Sequence, residues 1–126
     1  LISPGAKLSW MSTECEVAGG VTKVNATYYC LYHCLGTNGY RVGISTADSP
    51  LGPWTPPASE PVLDVTEGAW DADVVASMNI LPDPTKPGGW LAYYEGGMGN
   101  GTGGKWSLGQ LPLGIPFLGM CSGIGS

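Results

Sequence analysis

The chain has 126 residues, of which 21 are Gly and 11 are Pro, and its net charge is −5. Such a share of turn-forming residues excludes long helices, and the length allows one domain with a modest core. Five Lys and Arg stand against ten acids without a basic cluster, which excludes a nucleic-acid partner. No apolar run reaches the roughly 18 residues of a membrane span, so no membrane partner is expected.

The first half of the chain predicts one antiparallel unit. Residues 8–11 are expected to end a strand of a preceding unit. Three strands should follow, separated by turns that Asn, Gly and Thr favour, with a Gly19-Gly20 bend in the first and both faces of the second covered. These predicted strands are 14–24, 28–34 and 40–46. After a reversal over 49–53, Trp54 should open a fourth, outer strand that Pro56 and Pro57 keep short.

The second half of the chain restarts this pattern after a linker. Pro61-Val62-Leu63 is a brief apolar segment within that linker. The strands predicted beyond it are 73–81, 90–94 and 105–109. A repeat of about 60 residues with three or four antiparallel strands is typical of a β-propeller blade.

The fold predicted from this repeat is all-β, with about two antiparallel blades of a propeller. Two blades cannot close a ring, and residue 1 is Leu without a visible signal peptide, so a piece of a longer protein with further blades is expected. The expected division is 1–13 for the end of a preceding unit, 14–66 for the first blade, 67–109 for an incomplete second blade, and 110–126 for an irregular tail.

The four cysteines permit several pairings. Cys30 and Cys34 lie in one predicted strand about 13 Å apart, which excludes a disulfide between them. Cys15 can reach either one from a neighbouring strand, and Cys121 leaves the connectivity open. His33 is the only histidine and there is no CxxC pair, so no metal site or other cofactor is expected.

Two glycosylation sequons lie in predicted turns. They are Asn25-Ala26-Thr27 and Asn100-Gly101-Thr102, and both positions leave room for a glycan. They favour an extracellular or secretory location.

Paired acids open both predicted inner strands. Glu14 and Glu16 lie at the start of the first strand, and Asp71 and Asp73 at the start of the second. Within each pair the spacing of two directs both side chains to one face. The first strand of a propeller blade lines the central channel, so these carboxylates can converge on one pocket. Convergent acids can cleave a glycosidic bond, one as general acid and the other as base or nucleophile. The alternative is that they are solvated or accept bonds from turn amides.

Other candidate residues have structural alternatives. Trp70 is either a stacking platform for a sugar ring or a packing residue between blades. His33 lies in an apolar strand and is predicted to be a hydrogen-bonded core residue. Arg41 is expected to pair with an acid.

Residues 28–54 resemble one blade of the five-bladed β-propeller glycoside hydrolases. Glycoside hydrolase family 43 shows a YYLxYS strand, an IGxAxS strand and an SPLGPW turn followed by PVL; here the chain reads YYCLYH, VGISTADSPLGPW and, further on, PVL. WLAYYEG, over 90–96, is similar to the YMYYEG strand of the same group. Thr13-Glu14 resembles the start of the family 43 TEGP segment, and Glu14-Cys15 resembles the EC motif of the related family 32.

The resemblance implies hydrolysis of a carbohydrate by acids on different blades, without a cofactor. It assigns Glu14 as general acid and Asp71 as a second channel carboxylate, with Asp73 and Trp70 near the sugar. Counted from the tyrosines without gaps, however, the family 43 pattern puts Val17 at the acid position and Ala76 near the aspartate position, unless a bulge at Gly19-Gly20 shifts the register. A non-catalytic carbohydrate-binding propeller, or a purely structural one, is the alternative.

Overall fold

A computed structural model describes residues 8–99 and 105–113 of the chain. It contains a short 3-10 helix over Ser9–Met11 and six strands. The strands are β1 (Glu14–Val24), β2 (Thr27–Gly36), β3 (Gly39–Ala47), β4 (Val74–Pro82), β5 (Trp90–Gly97) and β6 (Trp106–Leu113). Cys121 and Asn100, together with most of the predicted tail, lie outside the described residues.

The strands form two antiparallel sheets of three, in the orders β1-β2-β3 and β4-β5-β6. Each sheet follows chain order because consecutive strands pair, with two-residue turns in the first sheet and longer connections in the second. β2 is buried along most of its length, as its unalternating apolar sequence predicts. The predicted all-β class, with two blade-like antiparallel units, is confirmed.

Three local predictions differ from the structure. Residues 9–11 form a turn of 3-10 helix, not the end of a strand, and it buries Trp10 and Met11. β6 continues to Leu113, four residues beyond its predicted end, because Leu111 pairs with Ala92 and its side chain joins the core. No regular strand forms at Trp54.

The outer edge of the first sheet is instead held at two separate points. The Thr55 amide donates to the Thr46 carbonyl at 2.8 Å, and Leu63 forms an isolated antiparallel bridge with Val42. The seven residues between these two points, 56–62, therefore lie beside only three residues of β3, 43–45. Pro56 and Pro57 lack the amide hydrogens that a continuous ladder needs, which explains the missing fourth strand.

The core lies between the two sheets. Side chains of β2 and β3 meet side chains of all three strands of the second sheet there, and the Leu63 bridge closes one side. The fully buried members include Leu31, Val42, Val75, Met78 and Ala92. A smaller cluster on the opposite face of the first sheet joins Trp10 and Met11 to Tyr32 and Cys34.

Irregular pairing occurs in both strands that begin the sheets. In β1 the register shifts between Glu16 and Gly20, and in β4 it shifts between Ala76 and Asn79. The first shift is located at the predicted Gly19-Gly20 bend. A Cβ atom on Gly19 would lie 1.9 Å from the Met78 carbonyl oxygen, so glycine permits the backbones of β1 and β4 to touch.

A disulfide joins Cys15 in β1 to Cys34 in β2, which are directly opposite each other in the register. The pairing that the sequence left open is therefore fixed for these two residues. Cys30 is buried and carries a free thiol. Across residues 8–99 and 105–113 there is also no helix of the length and hydropathy that crossing a bilayer would require.

We expect the Cys15–Cys34 bond to contribute about 3 kcal/mol to the free energy of unfolding, since it closes a loop of intermediate length in the unfolded chain. The double variant Cys15→Ala/Cys34→Ala should unfold at a lower urea concentration by that amount. Reductant should destabilise the wild type and leave the double variant unchanged. Equal urea midpoints for the two proteins without reductant would contradict the prediction.

Candidate functional site

An open cleft of about 570 Å³ lies where the β2–β3 turn faces the segment that leads into β4. Leu35 pairs with Glu14, the first residue of β1, so the cleft adjoins the strand end at which the predicted acids begin. Asp73 belongs to its wall, and so does the one cation that lines it among the described residues, Arg41. The full lining is Thr13, Leu35, Gly36, Thr37, Asn38, Gly39, Arg41, Ala72 and Asp73.

Glu14 is exposed and forms a hydrogen bond with Tyr40. The two residues lie on the same face, two strands apart, because each of them pairs with Leu35 of β2. The Tyr40 hydroxyl donates to Oε1 of Glu14. This bond raises the pKa of Tyr40 to about 12, with smaller contributions from burial and from the charges of Glu14 and Glu16.

Arg41 connects the first sheet to the start of the second. Its Nη1 donates to the carbonyl oxygens of Tyr40, at 2.9 Å, and of Asp73, at 3.1 Å. Its Nε lies 2.5 Å from Oδ1 of Asp64, so the predicted acidic partner exists. The carboxylate of Asp73 accepts a bond from the Gly99 amide at 2.5 Å. We call Glu14, Tyr40, Arg41 and Asp73 the cleft cluster.

Asp71 is buried, with 2 % of its surface exposed. Its Oδ2 accepts hydrogen bonds from the Tyr94 hydroxyl at 2.9 Å and from Thr66 Oγ1 at 3.3 Å. Its Oδ1 is buried without a hydrogen-bond partner among the described residues. An unpartnered buried carboxylate oxygen is costly, so this position is unlike the other acids of the chain.

Trp70 packs on the same face of the second sheet. Its ring stacks on Tyr94 with centroids 5.7 Å apart and planes inclined by 28°. Gly96 and Gly109 make room for it, since a Cβ on either one would lie 2.8 Å from the indole. Nevertheless 41 % of the Trp70 surface is exposed. Trp70, Asp71, Tyr94 and Thr66 form what we call the Asp71 cluster.

The predicted site residues therefore fall into two groups. Glu14 and Asp73 are connected through Tyr40 and Arg41 in the cleft cluster, whereas Asp71 and Trp70 share the Asp71 cluster. Within the described part of the chain, no hydrogen bond joins Glu14 to Asp71. No group of three or more potential metal ligands occurs in residues 8–99 and 105–113.

His33 is buried and hydrogen-bonded, as predicted for a core histidine. Its Nδ1 accepts from the Ser77 amide at 3.1 Å, and its Nε2 lies 3.7 Å from Oε2 of Glu16. An acceptor role for Nδ1 places the proton of the neutral ring on Nε2, toward Glu16. Burial lowers the pKa of His33, against the opposing charges of Glu16, Glu95 and Glu14.

Sequence reasoning missed Tyr40 as a partner of Glu14. Tyr40 was assigned only to a strand that supports the blade. Counting outward from the second turn places Tyr40 opposite Leu35. Counting outward from the first turn places Glu14 opposite Thr37, and only the register shift between Glu16 and Gly20 moves Glu14 to Leu35, so the sequence did not show this partner. Ser77 was not recognisable, since its contact depends on the irregularity in β4 and on a positive φ of 49°.

Two solved structures share this fold. An endo-1,4-beta-xylanase from Bacteroides thetaiotaomicron is 20 % identical, with a TM-score of 0.55 over 85 % of this chain and 42 % of that one. The GH43 BlXynB protein from Bacillus licheniformis is 16 % identical, with a TM-score of 0.50 over 78 % of this chain and 20 % of that one. The chain thus spans less than half the length of either protein.

The likeness confirms the predicted fold, since the chain has the architecture of part of these two proteins. Neither protein family models nor curated protein sequences match the chain. The likeness therefore rests on the arrangement of the strands.

We expect the Glu14–Tyr40 hydrogen bond to delay ionisation of one tyrosine. At about pH 11, midway between the ordinary tyrosine pKa of about 10 and the raised value, Glu14→Gln should carry more ionised phenol than the wild type. Ultraviolet absorbance measures this difference. Tyr40→Phe identifies the group, since adding it to Glu14→Gln should remove the extra signal. If the single variant and the wild type ionise alike, the hydrogen bond does not persist in solution.

We also expect His33 to make stability depend on pH. Its folded pKa lies below the ordinary value of about 6.5, so the unfolded chain binds more protons between the two values. The contribution of His33 to the free energy of unfolding is complete above about pH 6.5 and is lost as the pH falls toward the pKa of the folded state. Between about pH 7.5 and about pH 5.5, the free energy of unfolding measured in urea should fall more in the wild type than in His33→Asn. The asparagine is a suitable control because its side-chain oxygen can still accept the hydrogen bond from the Ser77 amide. Equal losses in both proteins would refute this.

Proposed function

We propose that this chain is part of a glycoside hydrolase that cleaves glycosidic bonds in an oligo- or polysaccharide. The observation that carries the proposal is the cleft cluster: a carboxylate hydrogen-bonded by a tyrosine stands beside an open cleft with a second acid in its wall. The fold likeness to two glycoside hydrolases supports the same reaction class. The wider protein supplies further blades and a carboxylate that this chain lacks.

Glu14 acts in this proposal as the general acid. The Tyr40 hydroxyl holds Oε1, which leaves Oε2 to carry the proton that the departing glycosidic oxygen takes up. Holding one oxygen fixes the carboxyl plane, and a positioned acid is what proton transfer in the transition state requires. The fixed arrangement of Tyr40 on β3 gives Glu14 a rigid partner, although Glu14 itself is exposed.

The other predicted site residues bind the sugar or supply a second carboxylate. Asp71 serves as the second carboxylate. Its Oδ2 is held by Tyr94 and Thr66 and its Oδ1 is buried, so contact with a sugar hydroxyl requires the Asp71 side chain to become accessible. The exposed part of Trp70 offers an apolar face for a sugar ring, held in place by the stack on Tyr94. Asp73, fixed by the Gly99 amide in the cleft wall, accepts hydrogen bonds from substrate hydroxyls.

The Cys15–Cys34 disulfide supports an extracellular or secretory location, because disulfides persist in oxidising compartments. We therefore propose that the protein works in the extracellular space or the secretory pathway.

One observation favours a second function, carbohydrate binding without hydrolysis. Asp71 is buried and already accepts hydrogen bonds from Tyr94 and Thr66, and it belongs to a different cluster from Glu14. A binding module needs the aromatic face and the polar cleft but no matched pair of acids. Isothermal titration with oligosaccharides, beside a hydrolysis assay on the same protein, separates the two functions: binding without turnover selects this one.

We expect Glu14→Gln, made in the complete polypeptide that contains this chain, to lower turnover of alkyl glycosides and unactivated oligosaccharides about 10²-fold or more. The loss should be smaller for substrates whose leaving group departs without a proton, because only the acid step is impaired. Glu60→Gln, at an exposed acid outside the cleft cluster, is the matched control and should retain activity.

Unchanged turnover in Glu14→Gln would eliminate Glu14 as the acid. An equal loss with every leaving group would instead assign Glu14 a structural role. We expect the 126-residue chain alone to be inactive, since two sheets leave the channel open. Hydrolysis by this chain alone would refute the requirement for further blades.

A further inference from the structure

The turn between β1 and β2 carries an Asn-Ala-Thr triplet in an accessible conformation. Asn25 and Ala26 form the turn and are both exposed, and Thr27 is the first residue of β2. Val24 pairs with Thr27, so the ladder closes directly beneath the turn and Asn25 lies outside it. The φ of Asn25 is 55°, a left-handed conformation that asparagine adopts more readily than most residues.

We propose that Asn25 is a site of N-linked glycosylation, a modification independent of the proposed hydrolysis. Its ligand class is an oligosaccharide delivered from a lipid pyrophosphate donor. In the transfer, Nδ2 of Asn25 forms a bond to the anomeric carbon of the first sugar. The bond from that carbon to the pyrophosphate oxygen breaks, Nδ2 loses one proton, and the lipid pyrophosphate leaves with the bonding electron pair.

The disulfide is a second, independent observation in favour of this site. Cys15 and Cys34 pair in the same sheet as the sequon, and structural disulfides form in oxidising compartments such as the lumen of the endoplasmic reticulum. A chain that acquires this bond there passes through the compartment in which eukaryotic cells attach N-linked glycans. The exposed sequon and the disulfide thus both indicate passage through the secretory pathway.

The glycan at Asn25 would not obstruct the cleft. Asn25 follows the last residue of the 11-residue strand β1, whereas Glu14 is its first residue. The paired strand β2 covers the same span in the eight steps from Thr27 to Leu35, so at about 3.3 Å per residue the two ends of β1 are about 26 Å apart. Beside the turn lies a separate groove of about 350 Å³, whose lining includes Thr27, Thr46 and Thr55. Their hydroxyl-bearing side chains provide a polar surface next to the sequon.

The test is expression of the complete chain behind a secretion signal in yeast, followed by mass spectrometry. Trypsin releases 24–41 as one peptide after reduction, and Asn100 falls in a different peptide. Release of the glycan by peptide N-glycosidase converts the modified Asn25 to Asp. Both the secreted and the cell-retained protein are analysed, because glycan transfer precedes export. We expect Asn25 to be converted in both pools.

The matched variants are Thr27→Ser and Thr27→Val. Serine keeps the hydroxyl that the sequon requires and should retain the glycan, whereas valine, of nearly the same shape, should lose it. Asn25→Gln should also lose it, and Asn100→Gln should keep it. An unmodified Asn25 in both pools, or a glycan confined to the Asn100 peptide, would overturn the proposal.

Discussion

The two sheets depend on the contact between the backbones of β1 and β4 at Gly19. A Cβ atom there would also lie 2.6 Å from Cβ of Leu31, so any larger residue would push β4 away from the first sheet. The surrounding contacts require this approach: His33 accepts from Ser77 only while β4 lies close, and Arg41 reaches the Asp73 carbonyl at the near end of the same strand. Side-chain burial between the sheets adds stability but does not replace this fit.

The same packing decides how the acids are distributed. Because β4 enters beside the β2–β3 turn, Asp73 is brought to the cleft and its carbonyl to Arg41, while Asp71, two residues earlier, turns into the second sheet against Tyr94. A spacing of two places residues on one face only inside a regular strand. β4 begins at Val74, so both aspartates precede it and the alternation does not apply to them.

The hairpins could be predicted closely because their signals are local. The first strand was predicted with its exact bounds, and the Gly19-Gly20 irregularity was located, since apolar alternation and paired glycines act over a few residues. The 3-10 turn at residues 9–11 was missed because burial of Trp10 against Tyr32 stabilises it, and this contact is remote in sequence. Of the site, the strand-end acids were predictable, but the Tyr94–Asp71 bond arises from tertiary packing and was not.

The interrupted outer edge of the first sheet has a consequence for assembly. An unpaired strand edge offers a row of amide and carbonyl groups to any other extended chain, and proteins commonly block such edges. Here Thr55 and Leu63 occupy two positions along β3, and the proline-containing segment between them has few amide hydrogens to offer. The segment thus protects the edge of β3 from intermolecular strand addition.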